Sequence, residues 1–249
     1  MSQRVKTVLI TLPEPVDGRS PYYDLAEKYK VGLLFREFTT IQPITPRDFR
    51  KEKVDILAHT AIVLTSRIAI EHFFRLCTEM RIDLPPTMKF FCVSETVALY
   101  LQKFITYRKR KVFYPKLKEQ EIFDLMLKQK GETYLVPRAN TGTNDVVEFL
   151  KKHNIKHNEA SFYAIESNDL SDLEKTRFDL IALYSPGAVK AIYDNFPDFK
   201  QEDRKIAAFG ANTAQAVLDA GLTLDIEAPT PRAPSMTMAL EEYLRTVNK

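Results

Sequence analysis

Glycine is scarce in this chain, with 7 among 249 residues, and none of the glycines falls into GxxxxGK[ST] or GxGxxG. Phosphate-cradling loops of the P-loop and dinucleotide-binding kinds therefore lose their best support. Cysteine is scarcer still: Cys77 and Cys92 are the only two, in a helix-like and a strand-like segment, and neither CxxC nor HExxH occurs. No disulfide framework and no zinc site is expected. No apolar run approaches the roughly 20 residues that cross a bilayer. The opening MSQRVKTVLITLPEP lacks the long apolar core and small-residue cleavage site of a secretory signal. These features set the expectation of a cytoplasmic protein with no membrane partner. An excess of one charge is missing too. The 36 Lys+Arg against 33 Asp+Glu leave a net of +3, too balanced for a dedicated nucleic-acid protein.

What the chain has is a globular composition, 45% hydrophobic and 28% charged, with strands and helices taking turns. Strands are expected at Val5–Leu12, Ala61–Thr65, Lys89–Val93, Lys111–Tyr114, Thr133–Val136, Leu180–Leu183, Ile206–Phe209 and Leu222–Ile226. Helices are expected at Tyr22–Lys30, Ser66–Met80, Ser94–Lys103, Glu119–Gln129 and Asn144–His153, and others begin near Pro186, Asn212 and Ser235. Such alternation reads as parallel α/β sheets. Two extended stretches, Gly32–Ile44 and Asn158–Ile165, break the rhythm and read as crossings between domains. The expected architecture is two parallel α/β domains joined by a two-stranded antiparallel linker, 38–42 with 159–167. One domain is discontinuous, 1–37 plus 168–249, and the other is inserted at 43–158. An internal echo agrees: DILAHTAIVLTSRIAIEHF and FDLIALYSPGAVKAIYDNF each run from apolar strand through a small hydroxyl residue into a helix. KFFCVSETVALYL and KIAAFGANTAQAV then repeat the pattern.

Candidate chemistry gathers at the strand-to-helix turns: Thr65-Ser66, Ser94-Glu95-Thr96, Arg138-Ala139-Asn140-Thr141, Ser185-Pro186-Gly187 and Gly210-Ala211-Asn212-Thr213. Open α/β sheets bind ligands outside the carboxyl ends of their strands. Helix N-termini there offer unpaired N–H groups and the positive end of the dipole, which suits anions. Ser, Thr and Asn at those positions also serve as ordinary caps, and one residue can do both. His153 and His157 lie four apart but have no third ligand nearby, and His59 and His72 read as structural. The run Arg108-Lys109-Arg110-Lys111 reads as a solvated turn, since no aromatic stacking pattern flanks it.

The same residues resemble the uroporphyrinogen-III synthase family over nearly the whole chain. VLITLPEP, with Thr11, is similar to the family's opening T-[RK]-P-E, although Leu12 replaces the basic residue. IVLTSRIAIEHF resembles F-T-S-x-x-A-V, and ALYSPGAVKAI resembles F-x-S-P-x-x-V. AAFGANTAQAVLDAGL resembles A-x-G-x-x-T-A-x-A-x-x-x-G-L, and the tail IEAPTPRAPSMTMAL follows A-x-x-P-T-x-x-x-L-x-x-A-L in character. In VSETVA, Ser94 and Val97 stand where the matching G-x-x-T-A has Gly and Thr.

The resemblance implies a lyase that needs no cofactor. Its substrate is hydroxymethylbilane, a linear tetrapyrrole bearing acetate and propionate carboxylates, which it dehydrates and closes with inversion of the last pyrrole ring. The resemblance also implies a tyrosine at the start of the second linker as proton donor, here Tyr163, whose ring could equally serve only in packing. Substrate contacts are expected from Thr11, Thr65, Ser66, Ser94, Thr96, Arg138, Asn140, Ser185, Pro186, Gly187, Gly210, Asn212 and Thr213. A monomer without metal is expected. The competing expectation is a two-domain α/β protein that closes on a small anionic ligand in its cleft without chemistry.

Overall fold

The computed structural model describes residues 4–16, 18–118, 120–129, 131–142 and 145–248, and within them the chain divides into two compact units, one of residues 1–40 and 166–249, the other Ile41–Ile165. Among the described residues there are eleven strands and nine α-helices.

The first unit is a five-stranded sheet in the order β11-β10-β9-β1-β2. Its strands are β1 (Thr7–Ile10), β2 (Gly32–Phe35), β9 (Leu180–Leu183), β10 (Lys205–Phe209) and β11 (Ile226–Ala228), and every neighbouring pair is parallel. Successive residues of a strand face opposite sides, so Val8 and Ile10 pack with helices α1 (Pro21–Tyr29) and α9 (Met236–Val247), and Leu9 packs with α7 (Pro186–Asn195) and α8 (Ala211–Asp219). Both faces are covered, the usual condition of a parallel sheet.

The second unit carries a six-stranded sheet in the order β3-β8-β7-β4-β5-β6. Its strands are β3 (Thr39–Pro43), β4 (Ala61–Leu64), β5 (Lys89–Cys92), β6 (Val112–Phe113), β7 (Tyr134–Ala139) and β8 (His157–Ser167). Central β4, sequence AIVL, is buried throughout and pairs in parallel with β5 and β7. One face packs under α2 (Pro46–Lys51), α3 (Arg67–Glu79) and α4 (Glu95–Leu101), around Phe49, Phe73 and Phe162. The other packs under α5 (Glu121–Leu127) and α6 (Asp145–Lys152), around Phe91, Tyr134 and Val147.

Three expected elements differ. Gly32–Ile44 is not one extended stretch: Gly32–Phe35 pairs with β1 as an edge strand, and the chain leaves that sheet before Thr39. Val31 and Gly32 continue directly from α1, whose left-handed end at Lys30 turns the chain back alongside β1. Expected strand Leu222–Ile226 begins only at Ile226, because Gly221 (φ +73°) ends α8 and the Leu222 N–H turns back to Val217 O. Asn158–Ile165 is longer than expected and doubles as a sheet strand, pairing in parallel with β7 while neighbouring β3. The expected helix starts at Glu119 and Asn144 lie outside the described residues.

Strands β3 and β8 run antiparallel: the Asn168 N–H donates to Phe38 O, and the Ile44 N–H donates to Phe162 O. Arg75 of α3 fastens this segment of the second unit, its Nη2 donating to Ile44 O at 2.8 Å while Nη1 pairs with Glu79 at 2.8 Å.

Candidate functional site

In each unit the expected residues lie at the carboxyl edge of a parallel sheet, where strands hand over to helices. Serine is the recurring device. Ser66 Oγ accepts from the Ala69 N–H (3.0 Å), Ser94 Oγ from the Val97 N–H (3.3 Å) and Ser185 Oγ from the Ala188 N–H (3.2 Å). Each cap satisfies one of the amides left over at a helix start and leaves the earlier first-turn amides free.

Those turns differ in what they offer an anion. At α8 the residue before the helix is Gly210, with φ +88° and ψ 145° and no side-chain cap. That conformation belongs essentially to glycine. The Gly210 N–H bonds to Ala228 O, the Thr213 N–H turns back to Gly210 O, and the Ala211 and Asn212 amides precede the helical ladder. No acidic residue stands in the first turn of α8. Asn212 is exposed and Thr213 is only 2% exposed. At α7, Pro186 has no N–H, which leaves Gly187 as the free first-turn donor. Exposed Arg67 begins α3, over the Tyr100 ring, so positive charge reinforces the dipole there. At α4 the first turn holds Glu95, whose carboxylate opposes an anionic ligand. Thr65 is half-buried and Thr96 exposed beside these turns.

Tyr163 is brought to the Ser66 turn by an irregularity in β8. The pairing of β7 with β8 slips between Arg138 and Ala139, so that Ser161 and then Tyr163 are the partners and Phe162 is the extra residue. As a result Phe162 and Tyr163, adjacent in sequence, both join the α3-side core instead of facing opposite sides. The Tyr163 ring is 9% exposed and stacks on His72 of α3 at 5.2 Å. Burial pushes its phenol above the ordinary value near 10, and hydrogen bonding to Ser66 works the other way. His72 is held below its usual value, first by burial and then by the neighbouring Arg75 charge, with Glu71 opposing. Its Nδ1 is buried without a hydrogen-bond partner among the described residues. A protonated phenol beside a neutral imidazole is an arrangement able to give a proton at neutral pH.

Other expected residues are engaged within their own units. Thr11 is 5% exposed, and both its N–H and its hydroxyl donate to Ala182 O, at 3.1 and 2.9 Å. Arg138 Nη1 donates to Ala139 O at 2.8 Å, and its Nε lies 2.8 Å from Glu159 Oε2. The exposed Asn140 accepts from the Ile165 N–H at 3.0 Å, steadying the end of β8.

Sequence reasoning passed over two pairs. In the sequence His72 has no visible link to Tyr163. In the first unit Tyr184, just before Ser185, shares a hydroxyl–hydroxyl hydrogen bond with Tyr22 at the start of α1. Burial raises the Tyr22 phenol to about 12. Neither pair has a spacing signal, because both join residues far apart in the chain.

With this geometry in place, comparison with known proteins is specific. The family described as Uroporphyrinogen-III synthase HemD matches residues 24–238. Among solved structures, uroporphyrinogen-III synthetase from Helicobacter pylori is 17% identical with a TM-score of 0.61, over 97% of this chain and 99% of that one. A mutant uroporphyrinogen III synthase from Thermus thermophilus is 14% identical with a TM-score of 0.62, again over 97% and 99%. These likenesses show the fold. Compared by sequence, no curated protein matched the chain.

Proposed function

From the premise that the chain belongs to the uroporphyrinogen-III synthase family, we propose that its carboxyl-edge turns bind the substrate carboxylates and that Tyr163 is the proton donor. The protein is a cyclising lyase of tetrapyrrole biosynthesis: it dehydrates hydroxymethylbilane and closes it, with the last pyrrole ring inverted, to uroporphyrinogen III.

The chemistry asks little of the protein beyond geometry and one proton. The hydroxymethyl group of the substrate leaves as water once its oxygen is protonated, and the resulting azafulvene is reactive without further help. Selectivity then depends on which carbon attacks. Holding a flexible chain in one near-attack arrangement is catalysis by proximity and orientation. Free amides at Ala211 and Asn212, at Gly187 and at the start of α3 supply donors for carboxylates, and N–H to carboxylate bonds are roughly twice as strong as neutral ones. The observation that carries the proton assignment is the re-aimed Tyr163, which the irregularity in β8 brings to the Ser66 turn beside His72. Ser66, Thr65, Ser185, Gly210, Asn212 and Thr213 border those amides and are read as substrate contacts, with Thr11, Ser94, Thr96, Arg138, Asn140, Pro186 and Gly187 as further members of the same edges.

The reading takes 38–42 and 159–167 as the segments joining a discontinuous domain (1–37, 168–249) to an inserted one (43–158), supported by the division into compact units. It also takes the enzyme as a cytoplasmic monomer that binds no nucleic acid, the last supported by the small net charge of +3. Among the described residues no helix is long and apolar enough to cross a membrane. Incubation with freshly generated hydroxymethylbilane, followed by separation of the porphyrin isomers after oxidation, tests the reading. The type III isomer is expected; only the type I isomer of spontaneous closure would refute it.

A further inference from the structure

A cavity of about 580 Å³ lies in the second unit at the amino edge of the sheet, the edge away from the turns described above. It opens beside Met88, just before β5, and Lys111, just before β6. Its floor is aromatic. Phe74 stacks on Phe104 at 5.0 Å with the rings nearly parallel, and Phe90 lies 6.2 Å from Phe74. Phe104 is 37% exposed and lines the cavity. Cys77 adds a thiol that burial pushes up to about 12, so this wall is uncharged.

The rim is cationic. Arg81, Arg108 and Lys111 line the cavity against a single carboxylate, Asp83, and none of the three cations has an ion pair among the described residues. The corresponding place in the first unit, after α7 and before β10, makes the contrast. There a cavity of about 450 Å³ has its Arg204 stacked on Phe178 and Phe199 and paired with Glu202 at 3.2 Å. In the first unit Arg204 is held internally, beside Lys200 in the same lining; in the second unit Arg81, Arg108 and Lys111 all line the cavity without an ion pair among the described residues.

We propose that the cavity of the second unit is a separate ligand site that takes a small aromatic carboxylate, its rings against Phe74, Phe90 and Phe104 and its carboxylate held by Arg81, Arg108 and Lys111. The volume is in the range of small-molecule sites, and an apolar body with a few convergent polar groups is their usual construction. Guanidinium forks match a carboxylate bidentately. Arg108 and Lys111, the two ends of the basic run before β6, thereby acquire a ligand, while Lys109 and Arg110 stay outside the lining.

An NMR titration of the full isotope-labelled chain with 2-naphthoate tests this. Amide shifts are expected at Ile82, Leu84, Ile105 and Lys111, with a Kd on the order of 1 mM or tighter. Arg81→Gln and Lys111→Gln each weaken binding about tenfold, the loss of one charge-assisted hydrogen bond. Lys109→Gln, whose side chain is exposed and outside the lining, leaves the Kd unchanged. The neutral analogue 2-naphthol, which loses the carboxylate's contacts with all three cations, binds more than about tenfold more weakly. The amide spectrum of each variant reports its fold in the same experiment. Absence of shifts at this cavity, shifts only elsewhere, or a Kd indifferent to Arg81→Gln and Lys111→Gln would overturn the proposal.

Discussion

Replacing Tyr163 by phenylalanine removes one oxygen and leaves the rest of its surroundings in place. The ring remains buried against the α3-side core and stacked on His72, so the apolar contribution of the side chain is kept. The structural loss is the phenol's polar interaction with Ser66, at most about 1 kcal/mol. The catalytic loss is larger if the phenol is the acid: general acids contribute roughly a hundred-fold or more, which corresponds to about 2.7 kcal/mol of barrier. Stability and turnover should therefore separate. Urea unfolding of Tyr163→Phe should stay within about 1 kcal/mol of the parent, while kcat for hydroxymethylbilane falls about a hundred-fold and KM changes little. The pH profile sharpens the test. The phenol must be protonated to act, and burial holds its pKa above the ordinary value, so turnover is lost only as pH rises through that raised value. Ser66 lowers the pKa, so Ser66→Ala should move the alkaline limb to higher pH. In Tyr163→Phe that limb should vanish. A Tyr163→Phe enzyme with unaltered rate and isomer ratio would return the residue to packing alone.

Three further outcomes are expected. Ser66→Ala, Ser94→Ala and Ser185→Ala each lose a helix cap and should cost about 1 kcal/mol in chemical denaturation, with turnover reduced only a few-fold because the backbone donors stay. Gly210→Ala meets no atom within 4 Å of the new Cβ, yet the glycine-only conformation at φ +88° should cost about 1–3 kcal/mol; unchanged stability would show that the turn relaxes. Alkaline unfolding should report the two thiols, which burial raises from 9.0 to about 12. Folded protein binds more protons than unfolded between those values, so stability is full below pH 9 and declines up to about pH 12, by about 1.4 kcal/mol per pH unit for each thiol. Cys77→Ala and Cys92→Ala should each flatten that slope, read from urea midpoints across the range.

Much was legible in the sequence because it is written locally. A strand such as AIVL, buried on both faces, announces itself in four consecutive residues. A capping serine and the amide that it satisfies are three positions apart, so Ser66, Ser94, Ser185 and the uncapped Gly210 could be placed at their turns from the chain alone. The repeated strand–turn–helix pattern likewise needs no knowledge of neighbours. What the sequence could not disclose depends on strand order and register. Gly32–Phe35 is an edge strand only because β1 offers it a parallel partner. Arg138 turns to Glu159 because β7 lies beside β8. His72 meets Tyr163 only after α3 packs over the sheet and the β7–β8 slip aims two successive side chains at one face. Alternation along a strand is a local rule, and a bulge breaks it at a position chosen by the partner strand. The turns of the candidate site were therefore determined residue by residue, whereas the surroundings of Tyr163 were decided by pairings between segments distant along the chain.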